Sequence, residues 1–205
     1  SATEGLPIKA ILPTNLAPGD QIKIQDPVQS VLAMASFNGN SADISLVRGV
    51  INFQDENREW IRVNPGSGGA ATCFRFSDDG RSLFFGNGSG NVYRMDNVDE
   101  LYQPSDASKA EFYLIANVNG RVSSIDIHPE DPETVMFTVA NTGVDHVYLM
   151  KNAQSATNQG TAQLTNLQSD LPDLPVFAGI FNASDPSIVV LGTDLGIYAT
   201  SDVNA

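Results

Sequence analysis

Four related segments, short strands between turns, and unit-opening runs that are apolar on both faces predict an all-β chain, a β-propeller with about four blades present. Gly90-Asn91-Val92-Tyr93-Arg94-Met95, Asp145-His146-Val147-Tyr148-Leu149-Met150 and Leu195-Gly196-Ile197-Tyr198-Ala199 share a hydrophobic-tyrosine pattern. A weaker copy, Gly49-Val50-Ile51-Asn52-Phe53-Gln54-Asp55, has Ile51 in the tyrosine position, so the copies step by 42, 55 and 50 residues. A period of that size with several short strands per unit marks a propeller. Runs such as 30–37 are small and apolar on both faces, as a strand near the crowded axis of converging blades requires.

Residues 1–27 form an extended lead-in, punctuated by Pro7, Pro13 and Pro18, in which 21–25 alternates as one short strand. The first unit, 28–66, holds expected strands at 30–37, 43–48, 50–53 and 59–63. The second, 67–119, has strands at 72–76, 82–86 and 91–95, then a polar excursion over 96–110 and an outer strand at 111–118. The third, 120–174, runs through 122–127, a turn at 128–133, 134–140 and 146–150, then a soft loop at 152–160 and an outer strand at 161–167. The fourth, 175–205, has strands at 176–181, 187–192 and 197–201 and lacks an outer strand. It is therefore expected to be incomplete: either the blades are an arc of a larger propeller, or strand 21–25 closes a four-bladed ring.

Composition narrows the function classes. The net charge of −13, with 11 scattered basic residues, argues against nucleic acid and anionic membranes as partners. No apolar run approaches the roughly 20 residues that span a bilayer, so no membrane insertion is expected. The single cysteine, Cys73, excludes an internal disulfide framework and reads as a small buried apolar residue. His128 and His146 lack any short ligand spacing, which speaks against zinc or iron.

Carboxylates crowd two loops, Asp78 and Asp79 in one and Glu130, Asp131 and Glu133 in the other, and are the candidates for calcium. Neither loop alternates like an EF-hand, so solvated hairpin tips are the preferred reading and no cofactor is expected. An enzyme would need convergent carboxylates or a nucleophile with its base. Asp126, on the strand 123–127, is the catalytic residue to test first, although a strand aspartate paired with a neighbouring polar group is the simpler reading.

Asp55-Glu56-Asn57-Arg58-Glu59-Trp60 has the spacing Asp-x-Asn-x-x-Trp. It resembles the Asp-box, the Ser-x-Asp-x-Gly-x-Thr-Trp hairpin of bacterial neuraminidase repeats, with Asn57 in the glycine position, where positive φ is tolerated. Ser201-Asp202-Val203-Asn204 reproduces the start of the same box. The wider resemblance is to Asp-box propellers of secreted bacterial proteins, including sortilin-like domains and xyloglucan-degrading hydrolases. It covers about residues 30–205 and is carried by the turn-plus-strand segments 128–135, 182–189 and 192–198.

The resemblance implies structural roles for Asp55, Asn57, Trp60, Ser201, Asp202 and Asn204. It also implies a non-catalytic scaffold or protein-interaction module of a secreted or cell-surface bacterial assembly. Expected partners are other proteins or the remaining blades of the same propeller, met through loops such as 96–110 and 152–160. The alternative is a carbohydrate-active enzyme or lectin of glycoside hydrolase type, with a carbohydrate as ligand.

Overall fold

A computed structural model describes residues 31–38, 41–48, 61–66, 69–200 and 202–203. Its strands fall into four successive antiparallel sheets. The first holds β1 (Val31–Asn38), β2 (Ser41–Arg48) and β3 (Ile61–Val63). The second holds β4 (Ala71–Phe76), β5 (Leu83–Asn87), β6 (Asn91–Asp96) and β7 (Glu111–Asn117). β8 (Val122–His128), β9 (Asp131–Val139), β10 (Val147–Lys151) and β11 (Gln163–Asn166) make the third. β12 (Val176–Phe181), β13 (Val189–Thr193) and β14 (Gly196–Ala199) make the fourth. Each sheet runs up and down in chain order, and the opening strands β1, β4, β8 and β12 lie next to one another in that order. This is a partial β-propeller, with opening strands innermost.

Three apolar layers alternate with the sheets. Ile44, Leu46 and Ile61 of the first blade pack against Phe74, Phe85, Tyr93 and Met95 of the second. Cys73, Phe84 and Val92, on the other face of the second sheet, meet Ile125, Val135 and Phe137 of the third. Met136, Val147 and Leu149 then meet Val176, Phe181, Val189 and Leu191 of the fourth. Inner sheets are thus apolar on both faces, because period-2 alternation sends successive side chains into different layers.

The repeated tyrosines occupy one place in this scheme. Tyr93 stacks on Phe85 with centroids 5.0 Å apart, and Tyr148 on Phe137 at 5.1 Å. Tyr198 packs half-buried against the third layer. The preceding glycine has its own reason: Gly90 sits at φ 82°, and a side chain there would run into the Val118 carbonyl.

Local differences from the sequence reading have physical causes. Ile61–Val63 pairs directly with β2, so it holds the third place in the first sheet, where the repeat comparison puts 49–53. Expected strand 50–53 lies outside the described residues. β9 begins at Asp131 and not at 134, because His128 pairs with Asp131 and tightens the turn to two residues.

The larger difference concerns the loops. Residues 96–110 form two 3-10 turns, Val98–Glu100 and Pro104–Lys109, that send buried Val98 and Leu101 into the layer between the first two blades. The loop expected to be soft, 152–160, buries Ala153 and Ala156 between the second and third blades. Both face inward.

Arg94 explains the second loop. Its side chain is almost fully buried, with Nε 2.7 Å from Asp96 Oδ1 and Nη2 2.8 Å from Oδ2. Nη1 donates to the Ala153 and Ala156 carbonyls, both at 2.8 Å, and the guanidinium lies 4.8 Å above the Tyr113 ring. Asp96 also accepts from Ser82 Oγ at 2.7 Å, which accepts from Gln154 Nε2 at 2.7 Å. Only arginine offers a planar fork to a carboxylate and further donors to two carbonyls.

Replacing Arg94 with Met removes the charge partner of Asp96, leaving it the Ser82 hydroxyl, and takes the shared donor from two carbonyls; it is expected to cost about 3 kcal/mol in urea unfolding. Arg94→Lys should fall between that variant and the parent.

Candidate functional site

The concentration of polar chemistry in the described residues lies along the inner strands. An inner strand has one edge paired within its sheet and another turned to the axis, where its N–H and C=O groups need other partners. The chain meets this need with a β-bulge near the start of three inner strands, between Ala71 and Cys73, Val122 and Ser124, and Val176 and Ala178. The bulged residue in the second blade is Thr72, whose hydroxyl donates to the Val122 carbonyl of the third at 2.5 Å. The bulged residue in the third is Ser123, which donates to the Val176 carbonyl of the fourth at 2.5 Å. These are equivalent latches, one blade apart.

Asp126 belongs to this system. Its Oδ2 accepts the Phe181 N–H of β12 at 2.9 Å, and Oδ1 lies 3.3 Å from Arg75 Nε of β4, an ion-pair contact without hydrogen-bond alignment. Three blades therefore meet at one carboxylate. Ser124 Oγ does similar work two residues earlier, accepting the Gly179 N–H at 2.9 Å. Burial pushes the Asp126 carboxyl above its ordinary value, outweighing the downward pull of the Phe181 N–H and Arg75. An Asp with these contacts ties strands together, and the nearby charge of Asp78 adds to the upward push on its pKa.

A depression of about 200 Å³ opens between the third and fourth blades, lined by His128, Asp131, Glu133, Lys151, Phe181 and Val203 among others. Its carboxylates are engaged. Asp131 accepts from the Glu133 N–H at 3.1 Å and from Thr134 Oγ1 at 2.6 Å. Glu133 Oε2 accepts the Gln154 and Ser155 N–H groups and Ser155 Oγ, each at 3.1 Å. His128 accepts the Glu130 N–H at 3.2 Å and sets its ring edge-on to Phe181 at 5.1 Å.

In the other acidic loop Asp79 accepts from Ser77 Oγ at 2.6 Å and the Arg81 N–H at 3.0 Å, which closes the hairpin. Asp78 stands exposed beside it. No group of three or more His, Cys, Asp or Glu among the described residues is placed to hold a metal ion.

Asp55, Asn57, Trp60, Ser201 and Asn204 lie outside the described residues. Asp202 is exposed, with its N–H donating to Thr200 Oγ1 at 3.1 Å, while Val203 packs into the layer between the third and fourth blades. Sequence reasoning passed over Arg94 and the latch hydroxyls. Only the second position of each inner strand, Thr72 and then Ser123, carried a signal for the latches.

The fold and these contacts define a run of blades from a β-propeller. No protein-family model and no curated protein matches the sequence. Among solved structures, the chain is similar to the GH74 enzyme of Niastella koreensis, with a TM-score of 0.51 and 15% identity, over 82% of this chain. The match takes in 26% of that enzyme, so the chain spans about a quarter of its length. At that identity the likeness shows the fold alone. No helix among the described residues is long and apolar enough to cross a membrane.

Because folding raises the Asp126 pKa, the stability linked to its protonated form is fully present below the unfolded value, near 3.8, and is lost as pH rises through the folded value. The stability of the parent relative to Asp126→Asn should therefore fall as pH is raised from below 3.8. Paired denaturation curves across pH check this, and a rise would reject the dominance of burial. Cys73 gives a second readout: burial pushes its thiol up to about 11. At pH 8 it should react with a thiol reagent at least roughly 100-fold more slowly in the native protein than in urea.

Proposed function

We propose that this chain is a non-catalytic propeller scaffold that presents protein-interaction surfaces within a secreted or cell-surface bacterial assembly. The observation that carries this reading is how the candidate chemical groups are used. Asp126 joins three blades, and Asp131 and Glu133 hold turns. These contacts use Asp126 Oδ2, both Asp131 oxygens and Glu133 Oε2 to hold strands and turns, whereas a catalytic carboxylate works on substrate with a partner across the scissile bond. Rigid blades that carry their contacts on outer surfaces suit a binding role.

No cofactor enters the reading. Calcium takes six to eight oxygen ligands, and Asp79, Asp131 and Glu133 already accept hydrogen bonds from their own loops. The Asp-box residues Asp55, Asn57, Trp60, Ser201, Asp202 and Asn204 keep the structural role that the resemblance implies.

The second reading is a carbohydrate-active enzyme or lectin. The fold likeness to a GH74 enzyme favours it, as does the depression that gathers His128, Asp131 and Glu133. Reducing-end release from xyloglucan and other β-glucans separates the two. Under the scaffold reading, the chain releases no more sugar than a blank. Turnover that disappears in Asp126→Ala or Glu133→Gln would establish the enzyme instead.

A further inference from the structure

The crossing from the second blade to the third, residues 118–121, holds an Asn-Gly pair whose glycine the fold requires. Gly120 sits at φ 111°, and a Cβ there would stand 2.6 Å from Val139 Cγ1 of β9. Its carbonyl oxygen in turn lies 2.9 Å from where Gly90 would carry a Cβ. No side chain fits at 120. The residue before it is under no such restraint, since Asn119 is exposed and nothing among the described residues hydrogen-bonds its amide. The backbone on either side is held, the Val118 N–H by the Gly90 carbonyl at 2.9 Å and the Arg121 N–H by Asn141 Oδ1 at 2.6 Å. Between them, the Gly120 N–H has no acceptor among the described residues.

Asparagine is a labile side chain, and the backbone nitrogen of a following glycine attacks it most readily because no Cβ shields that nitrogen. The Gly120 nitrogen gives its proton to solvent base and bonds Asn119 Cγ; the Cγ–Nδ2 bond breaks and ammonia leaves. Water then opens the five-membered imide at either carbonyl, giving aspartate or isoaspartate. One water is consumed and one ammonia released, with no change of oxidation state. A second pair, Asn87-Gly88, shows what protection requires. Asn87 is fully buried at the end of β5, and its Oδ1 accepts the Ser89 and Asn91 N–H groups at 2.9 and 3.1 Å. Turning its Cγ onto the Gly88 nitrogen breaks both bonds. The remaining pair, Asn38-Gly39, includes a glycine outside the described residues.

We propose that Asn119 is a site of spontaneous deamidation, and that its isoaspartyl product loosens the seam between the second and third blades. Isoaspartate routes the main chain through Cβ, which adds one methylene between the anchored Val118 and Arg121. Val122 follows directly. Its carbonyl takes the Thr72 latch, and its side chain packs against the Gly86 backbone beside Cys73, where even a Cβ at Gly86 would collide with it. The product also adds a negative charge to a chain whose net charge is −13. This chemistry belongs to the backbone and holds whether or not the chain is a scaffold.

Peptide mapping by mass spectrometry, after the full chain is incubated in mildly alkaline buffer, reads conversion at each asparagine, and enzymatic methylation of isoaspartyl carboxylates marks that product. In the native protein Asn119 should convert roughly 10-fold or more faster than Asn87, whose two bonds must open first. In urea the two rates should approach each other, since both residues precede glycine. Asn119→Gln should abolish conversion at this site and leave the thermal midpoint unmoved, because the parent side chain is exposed and unbonded. Converted protein, separated by anion exchange, should react at Cys73 several-fold faster with a thiol reagent. Native Asn119 that stays intact while the same residue converts in urea overturns the proposal, as does Asn87 converting as fast as Asn119 in the folded chain. Equal Cys73 reactivity in converted and unconverted fractions overturns the loosening of the seam. None of these measurements involves sugar release, so the scaffold reading fails or survives separately.

Discussion

The inner strand of each blade has an edge that no other strand can pair, because the blades converge there and leave no room for one. Buried backbone groups left without partners cost too much to tolerate, so neighbouring blades supply side-chain partners across the seam. Thr72 and Ser123 donate across successive seams, while Ser124 and Asp126 accept N–H groups of β12. The recurring bulge places these groups by turning one extra residue toward the next blade. The use of Asp126 follows from that constraint.

Farther from the axis the blades splay, and the gap must be filled by something larger than a strand side chain. Here the loops become part of the core. Arg94 holds the 153–156 turn by its carbonyls, and Val98 and Leu101 anchor the 96–110 excursion beneath the first blade. Apolar burial supplies the driving force, while the arginine fork fixes geometry in a layer where unpaired carbonyls would be costly. The same residues that lengthen the second and third units thus stiffen them. Among the described residues, most of the exposed large hydrophobics lie in the fourth blade instead.

Much of this was legible in the sequence, for reasons that can be named. Tyr93, Tyr148 and Tyr198 lie opposite Phe85, Phe137 and Leu191 of the second strands, so the repeated tyrosine marked the third strands of the second, third and fourth sheets. In the first unit Ile61–Val63 takes the place beside β2, while Ile51 lies outside the described residues; apolar character does not encode which run pairs with β2. Asp126 was legible as a polar strand residue and not as a three-blade junction, since Arg75 and Phe181 are 51 and 55 residues away from it. Polar loop composition pointed outward, yet Ala153 and Ala156 are small enough to be buried where Arg94 waits.

By itself the sequence determined the all-β class, the four repeating units and most strand positions, because those depend on alternation and turn residues within a few positions of each other. Tertiary structure alone decided which carboxylates hold strands and turns, which loops face inward and where exposed apolar side chains gather among the described residues. Each of these depends on distances between residues far apart in the chain, where a hydroxyl or a guanidinium finds the backbone of another blade. The Phe177, Ala178 and Ile180 substitutions at the latch positions were present in the sequence throughout. That they stand where the third blade has Ser123, Ser124 and Asp126 is visible only when β12 is laid beside β8.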